Sequence, residues 1–196
     1  MPRAYKREGR DAAMARTRAR IVDAVVALHA ERGARDTSYA DIAARADVAI
    51  PTVYKHFPSL EALFEACVGH VSEKAPPLRP ELFASPSAAD RLGALARALA
   101  LRHRHFEPWL RWSGHAPPEL AVHHRRAAET LRAAIRRAVA PAFPGEPPPA
   151  LIGVLAAILD FRAWQTLTAE LGVDDADAAD ALANAATLVL SGYIGA

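Results

Sequence analysis

Apolar residues recur at intervals of three and four positions along nearly the whole chain, which is the period of an amphipathic α-helix. In residues 16–32, for example, Ile21, Val25 and Leu28 line one face, and Gly33 follows as a helix stop. No segment alternates with the period of two that a half-buried strand requires. The pattern therefore predicts an all-α fold.

Two short helices are predicted after this first helix, with a tight turn between them. Ser38 and Asp41 have the spacing of a capping box at the start of the second helix. Pro51 occupies the first turn of the third helix, where proline is tolerated, and Pro58 ends it. Ser59 is then the expected N-cap of a fourth helix.

Four prolines between residues 75 and 87 interrupt the helical pattern and indicate a domain boundary or hinge. Beyond this segment the apolar spacing resumes and predicts five more helices. Their expected ranges are 87–106, 107–113, 117–140, 148–171 and 176–194.

Composition and length exclude several classes of protein. The 196 residues are 52% hydrophobic and 23% charged, which is typical of a globular chain. The chain starts without an apolar stretch, so no signal peptide is expected and a cytoplasmic location is predicted. Cys67 is the only cysteine and cannot form an intramolecular disulfide. The longest apolar run, residues 150–159, is about half of the ~20 residues of a membrane helix, so no membrane association is expected.

The formal net charge of +2 conceals an uneven distribution. Residues 1–60 carry +4, residues 61–90 carry −3, residues 91–140 carry +7 and residues 141–196 carry −6. The first 20 residues are strongly basic, which suits nucleic acid, although a solvated disordered tail is the alternative. Their basic members are Arg3, Lys6, Arg7, Arg10, Arg16, Arg18 and Arg20.

A short helix, a tight turn and a second short helix, all following a long helix, are typical of a helix-turn-helix module. Val53 and Phe57 lie four residues apart and are expected to pack inward on Ile42, Ala46 and Val48. The opposite face of the third helix offers groups that contact bases and phosphates. These are Pro51, Thr52, Tyr54, Lys55 and His56. The alternative is an exposed helical hairpin within an ordinary α-bundle.

The stretch from Ile21 to Val68 closely resembles the N-terminal domain of TetR-family transcriptional regulators. The resemblance rests on TSYADIA at residues 37–43 and TVYKHFPSLEAL at residues 52–63, in which Tyr-x-His-Phe is followed by Ser-x-x-x-Leu. It implies an all-α homodimer whose N-terminal helices bind a double-stranded DNA operator. A C-terminal bundle would bind a small-molecule inducer and dimerise. Separately, the residues lead us to expect no cofactor, no metal and no enzymatic activity.

The resemblance also implies roles for individual residues and segments. DNA would be held at phosphates by Tyr54, Lys55 and His56, at its backbone by Thr37 and Ser38, and at bases by Pro51 and Thr52. The corresponding organisation is a basic flexible arm over residues 1–15, a DNA-binding domain over 16–58 and a ligand-binding and dimerisation domain over 59–196.

The turn of the predicted module departs from the family pattern at two positions. Asp47 stands where glycine is usual, but aspartate tolerates the left-handed backbone better than most residues. Ala49 stands where serine is usual and provides no cap oxygen, a loss of ~1 kcal/mol of helix stability. Operator affinity is therefore expected to depend more on the basic arm.

Two histidines interrupt apolar stripes in the C-terminal part of the chain. His103 continues the stripe of the helix at 87–106, and His124 lies on the stripe of the helix at 117–140. With Phe106, Trp109 and Trp112 nearby in sequence, they suit an aromatic pocket with a few polar anchors. The alternative is that both imidazoles are hydrogen-bonded core or rim groups.

The last two predicted helices, 148–171 and 176–194, would pair with their symmetry mates as a four-helix bundle, as the resemblance implies. The alternative is that they close a monomeric core.

These observations favour a ligand-responsive repressor over two alternatives. One is a DNA-binding protein without sequence preference, which would use the arm and the basic central segment. The other is an α-helical enzyme with His103 or His124 as a general base, but we find no nucleophile, carboxylate pair or metal motif at a productive spacing. A metal site built from the histidines at 103, 105, 123 and 124 is disfavoured, because their spacing directs them to different sides of a helix.

Overall fold

The computed structural model describes residues 3–194, with side chains from Gly9 onward. This part of the chain is helical and contains no strand, so the predicted all-α fold is confirmed. The α-helices are α1 (Arg3–Arg32), α2 (Tyr39–Arg45), α3 (Ile50–His56), α4 (Leu60–Glu73), α5 (Ala88–Leu110), α6 (Ala121–Val139), α7 (Pro149–Ile158), α8 (Phe161–Gln165) and α9 (Asp175–Ile194).

Short segments of tighter or wider helix connect several of these helices. The 3₁₀ turns are Pro80–Phe83, Ser113–His115, Pro118–Leu120 and Ala140–Ala142. One π-helical turn, Thr166–Glu170, follows α8 directly.

The chain divides into two compact units. Unit 1 comprises Met1–Lys74 and Pro108–Val122, and unit 2 comprises Ala75–Glu107 and His123–Ala196. Thus α4 groups with the first three helices, whereas the sequence predicted a boundary between residues 58 and 59. The reason is packing, because Leu63 of α4 is buried in the same apolar cluster as α1.

Unit 1 has its core where α1 packs against α2 and α4 and where α2 packs against α3. Val53 and Phe57 are buried with Ile42 and Ala46, and Val48 packs against the same cluster. The inward packing predicted for α3 is therefore confirmed.

The first helix is longer than predicted. It begins at Arg3 rather than near Arg16, so residues 3–15 extend α1 instead of forming a separate flexible arm. Alanines at positions 12, 13 and 15 are strong helix formers, which favours continuation of the helix toward the N-terminus.

Two of the predicted helix boundaries in the C-terminal part are wrong. The segments expected at 87–106 and 107–113 form the single helix α5, which continues through Pro108 to Leu110. The helix expected at 148–171 is instead broken at Asp160. This residue has an extended backbone, and its carboxylate accepts from the N–H of Arg162 as the N-cap of α8.

Unit 2 has an apolar core to which α5, α6, α7, α8 and α9 contribute. Leu92, Leu151, Trp164 and Leu190 are among its buried members. The predicted stripe of α6 is buried only toward its C-terminal end, where Ile135 is fully buried. Over residues 121–130 the side chains of α6 are exposed or half-buried, so the inward face expected there is not observed.

The segment Pro149–Glu170 is long and apolar enough, by length and composition alone, to cross a membrane. Core helices of globular proteins meet the same criterion. Here the backbone breaks within the segment at Asp160, and Leu151, Leu155 and Trp164 are fully buried in unit 2.

Candidate nucleic-acid interface

The turn between α2 and α3 is a Schellman motif. The N–H of Val48 donates to the carbonyl of Ala43, and the N–H of Asp47 donates to the carbonyl of Ala44. Asp47 has a φ of 52°, the left-handed conformation that glycine adopts most easily. The turn therefore forms with aspartate at this position, as the sequence predicted.

The α3 helix starts without a side-chain cap. Ala49 is its N-cap residue and makes no side-chain hydrogen bond, which confirms the defect expected at this position. Pro51 lies in the first turn, where its missing N–H removes no helical hydrogen bond. With only seven residues, α3 depends on contacts with the rest of unit 1 for its stability.

The outer face of α3 is open to solvent. Pro51, Tyr54 and Lys55 are exposed, and Thr52 and His56 are half-buried. The set offers hydroxyl, ammonium and imidazole groups, which are the chemical types that contact phosphates and base edges. All five residues predicted on this face are therefore accessible to a ligand of unit 1.

The entry to α2 is a complete capping box. Ser38 accepts from the N–H of Asp41 at 3.2 Å, and the Asp41 carboxylate accepts from the N–H of Ser38 at 2.9 Å. Ser38 is the N-cap, whereas Thr37 donates its hydroxyl to the carbonyl of Gly33 at 2.8 Å. Thr37 therefore closes the turn after α1, and Ser38 caps α2.

Ion pairs connect α1 to α2. A guanidinium nitrogen of Arg32 lies 3.0 Å from the Asp41 carboxylate. The guanidinium of Arg45 makes a bidentate ion pair with the Glu31 carboxylate, with N–O distances of 2.8 and 2.9 Å. Hydrogen bonds from Ser38, followed by that from Arg32, lower the pKa of Asp41 to about 2. The Asp41 carboxylate is therefore ionised at neutral pH.

A pair of stacked tyrosines joins α2 to α3. The rings of Tyr39 and Tyr54 lie with centroids 4.3 Å apart and planes inclined by 4°. The hydroxyl of Tyr39 donates to the carbonyl of Phe57, the C-cap residue of α3, at 3.3 Å. Sequence reasoning missed the role of Tyr39, because nothing in its local pattern indicates which ring it contacts.

The basic residues of α1 have different surroundings. Arg10, Arg16 and Arg20 are exposed, and the guanidinium of Arg18 lies 4.8 Å from the centroid of the Phe57 ring. The sequence also predicted that the basic side chains at positions 3, 6 and 7 favour nucleic acid. The structure does not describe the side chains of Arg3, Lys6 and Arg7.

The five residues predicted to bind a ligand are divided between the two units. Trp109 and Trp112 belong to unit 1, whereas His103, Phe106 and His124 belong to unit 2. In unit 1, the indole N–H of Trp109 donates to the carbonyl of Val26 at 2.9 Å. The indole N–H of Trp112 donates to the carbonyl of Ala30 at 3.3 Å. Both indoles therefore attach the segment Pro108–Val122 to α1 within unit 1.

His103 is surrounded by aromatic rings and already has a backbone partner. Its Nε2 lies 3.0 Å from the carbonyl oxygen of Leu159, to which it donates in the Nε2–H tautomer. The rings of Phe161 and Trp164 lie at 5.9 and 6.0 Å between centroids. Burial lowers the pKa of His103.

Phe106 and His124 have more open surroundings. The Phe106 ring is half-buried and contacts the His105 ring edge-on at 4.9 Å, with the Arg102 guanidinium 5.3 Å from its centroid. His124 is exposed, so the buried position expected for it on α6 is not observed. Desolvation and the neighbouring His123 lower the pKa of His124.

Among the described residues, no group of three or more histidine, cysteine or acidic side chains is placed to hold a metal ion. Two clefts of about 380 and 370 Å³ lie in unit 1, and none of the five predicted ligand-binding residues lines either of them. The first is bounded by α1 and α4 and includes Arg18, Asp23 and His70.

Comparison with known proteins finds a family similarity within unit 1. Residues 21–67 match the model of the bacterial regulatory proteins of the tetR family. No curated protein sequence matches the chain.

Solved structures resemble most of the chain. The multidrug binding protein EbrR, crystallised with imidazole, is 25% identical, with a TM-score of 0.62 over 85% of this chain and 88% of that chain. A transcriptional regulator from Rhodococcus sp. Rha1 is 19% identical, with a TM-score of 0.61 over 89% of this chain and 96% of that chain. A protein described as a TetR-family regulator from Rhodococcus sp. is 22% identical, with a TM-score of 0.58 over 90% of this chain and all of that chain.

Proposed function

We propose that this protein is a ligand-responsive repressor, because residues 21–67 match the model of the bacterial regulatory proteins of the tetR family. It binds a palindromic operator as a homodimer and is released by a small-molecule inducer. The observation that carries the proposal is the match of the family model to the helices that present the exposed polar face of α3.

In this proposal α3 enters the major groove of the operator. Pro51 and Thr52, in its first turn, face the bases, and Tyr54, Lys55 and His56 hold phosphates. Thr37 and Ser38 contact the DNA backbone through the segment before α2. The accessibility of the α3 side chains supports these assignments.

We propose that α7 and α9 form the dimer interface. The two helices pack together in unit 2, and each leaves apolar side chains uncovered in the single chain. Val154 of α7 and Leu188, Tyr193 and Ile194 of α9 are exposed, with Leu188 at 75%. Association of two identical chains through such a face removes apolar area from water and places two α3 helices on the two halves of a palindrome.

We assign inducer binding to unit 2, near His103 and Phe106. A polar imidazole among aromatic rings is the kind of group that orients an organic ligand. The similarity to EbrR, a multidrug binding protein solved with imidazole, supports a small aromatic ligand. Trp109 and Trp112 belong to unit 1 and are not part of this proposed site.

The test is DNA binding measured by fluorescence anisotropy. The probes are palindromic duplexes from the DNA upstream of the gene and a random duplex of equal length. We expect preferential binding to one palindrome, weakening as salt increases, because phosphate contacts release counterions. Equal affinity for all duplexes would overturn the repressor proposal.

Such equal affinity is the signature of the second candidate function, a DNA-binding protein without sequence preference. The exposed basic side chains of α1 and α6 favour it, among them Arg10, Arg16, Arg125, Arg132 and Arg136.

A further inference from the structure

Tyr39 and Tyr54 have unequal surroundings although their rings are stacked. Tyr54 is 50% exposed on the outer face of α3. Tyr39, the first residue of α2, is half-buried and packs against the apolar core of unit 1. One ring of the pair is thus anchored in the domain, and the other faces solvent where DNA is expected.

Tyr39 holds α3 at a second point. Its hydroxyl donates to the carbonyl of Phe57 at the C-terminal end of the helix, where carbonyls lack helical partners. Burial, followed by the proximity of Tyr54 and Glu61, raises the pKa of Tyr39, so the phenol remains protonated and able to donate. A single side chain of α2 therefore contacts both the middle and the end of α3.

These contacts matter because α3 has few restraints of its own. It has seven residues and no side-chain cap at Ala49, so its orientation is set by tertiary contacts. A flexible side chain loses conformational entropy when it is immobilised on binding, and holding it beforehand removes part of that loss. In the structure the Tyr39 and Tyr54 rings are stacked, with centroids 4.3 Å apart.

We propose that Tyr39 is a positioning residue for DNA binding: its ring fixes the Tyr54 side chain, and its hydroxyl fixes the end of α3, in the orientation that contacts DNA. The inference rests on the proposed function, since it requires α3 to bind DNA. Tyr39 acts through Tyr54 and α3 and makes no contact with DNA itself.

The experiment is a double-mutant cycle in the full-length chain. Tyr39→Leu, Tyr54→Leu and the double variant are compared with the unsubstituted protein by anisotropy on a palindromic duplex from upstream of the gene. We expect Tyr39→Leu to weaken binding about three- to tenfold when Tyr54 is present, as pre-organisation of one side chain predicts. When Tyr54 is leucine, we expect only the effect of the lost hydroxyl, about twofold. Equal weakening in both backgrounds would overturn the positioning role.

Two further variants separate positioning from loss of stability. Tyr39→Phe keeps the ring and removes only the hydroxyl, so it is expected to bind more tightly than Tyr39→Leu. It also provides the test if Tyr39→Leu does not fold, since it removes the hydrogen bond to Phe57 and is expected to weaken binding about twofold. Val71→Ala, at a buried site of α4, is expected to lower the stability of unit 1 and serves as the control for loss of stability.

The outcomes distinguish this inference from the function on which it rests. Weakening by Tyr39→Leu but not by Val71→Ala supports the positioning role. Unchanged binding by Tyr39→Leu and Tyr39→Phe would overturn it while leaving the DNA-binding function intact. Absence of binding by the folded, unsubstituted protein to any duplex would overturn both.

Discussion

His29 of α1 and Cys67 of α4 meet in the core of unit 1, with Nδ1 of the imidazole 3.6 Å from Sγ of the thiol. Both side chains are buried, and the His29 ring also lies 5.6 Å from that of Phe64. Burial lowers the pKa of His29 to about 4 and raises that of Cys67 to about 12. The pair is therefore uncharged at neutral pH, and a buried polar contact links two helices of the DNA-binding domain.

Burial of His29 makes the stability of unit 1 depend on pH in the acid range. Because His29 titrates near 6.5 when unfolded and near 4 when folded, the unfolded chain binds more protons between these values. The free energy of unfolding is expected to decrease as the pH falls from 6.5 to 4. At about 1.4 kcal/mol for each pH unit between the two pKa values, the total loss is about 3 kcal/mol.

Urea unfolding of the full chain at a series of pH values measures this dependence, with His29→Leu as the comparison. Leucine has a similar volume and no ionisable group, so the steepest part of the dependence between pH 6.5 and 4 should disappear. An identical pH profile for the two proteins would contradict the prediction.

Asp47 is the expected site of a stabilising substitution. Its φ of 52° places the Cβ of any non-glycine residue in steric conflict with the backbone, a conformational strain that glycine avoids. We expect Asp47→Gly to increase the free energy of unfolding by about 0.5–1 kcal/mol, offset in part by the greater freedom of glycine in the unfolded chain. Thermal unfolding measures the change, and Asp47→Ala, which keeps a Cβ at the positive φ, should not stabilise the protein. Destabilisation by glycine would show that the Asp47 side chain makes a compensating contact.

Ala49 leaves the first turn of α3 without a side-chain acceptor. Ala49→Ser places a hydroxyl at the N-cap and is expected to stabilise the protein by about 1 kcal/mol. Ala49→Val, which provides no acceptor, serves as the control. The difference between the two variants in urea unfolding measures the cap, and equal stabilities would indicate that the serine hydroxyl does not reach the backbone N–H groups.

Trp109 is expected to matter for stability more than for ligand binding. Its indole N–H donates to Val26, so Trp109→Phe should lower the free energy of unfolding by about 1 kcal/mol. Release of the protein from its palindrome by a small aromatic ligand should keep the same half-maximal concentration. A large change in that concentration without loss of stability would instead assign Trp109 to the ligand site.

Local chemistry explains why most of unit 1 was predictable. Ser38 caps α2, Pro51 begins α3 and Ser59 caps α4, because each effect operates within one helical turn. The inward packing of Val53 and Phe57 follows from their spacing of four residues. The resemblance to the TetR family predicted that these helices form one domain. The family model matches residues 21–67, which confirms the resemblance over that range.

Longer-range features were less predictable. The continuation of α1 to Arg3, the single helix α5 across Pro108 and the break at Asp160 depend on how weak local preferences balance over many residues. His124 lies on an apolar stripe in the sequence but is exposed in the single chain, because periodicity does not say which face of a helix is covered.

By itself, the sequence determined the all-α fold, the helix-turn-helix module and the residues on the outer face of α3, since helical periodicity and capping are local properties. Only the tertiary structure placed Tyr39 against Tyr54, His29 against Cys67 and Trp109 against Val26. Such contacts join residues that are distant along the chain, and their partners are set by the packing of whole helices.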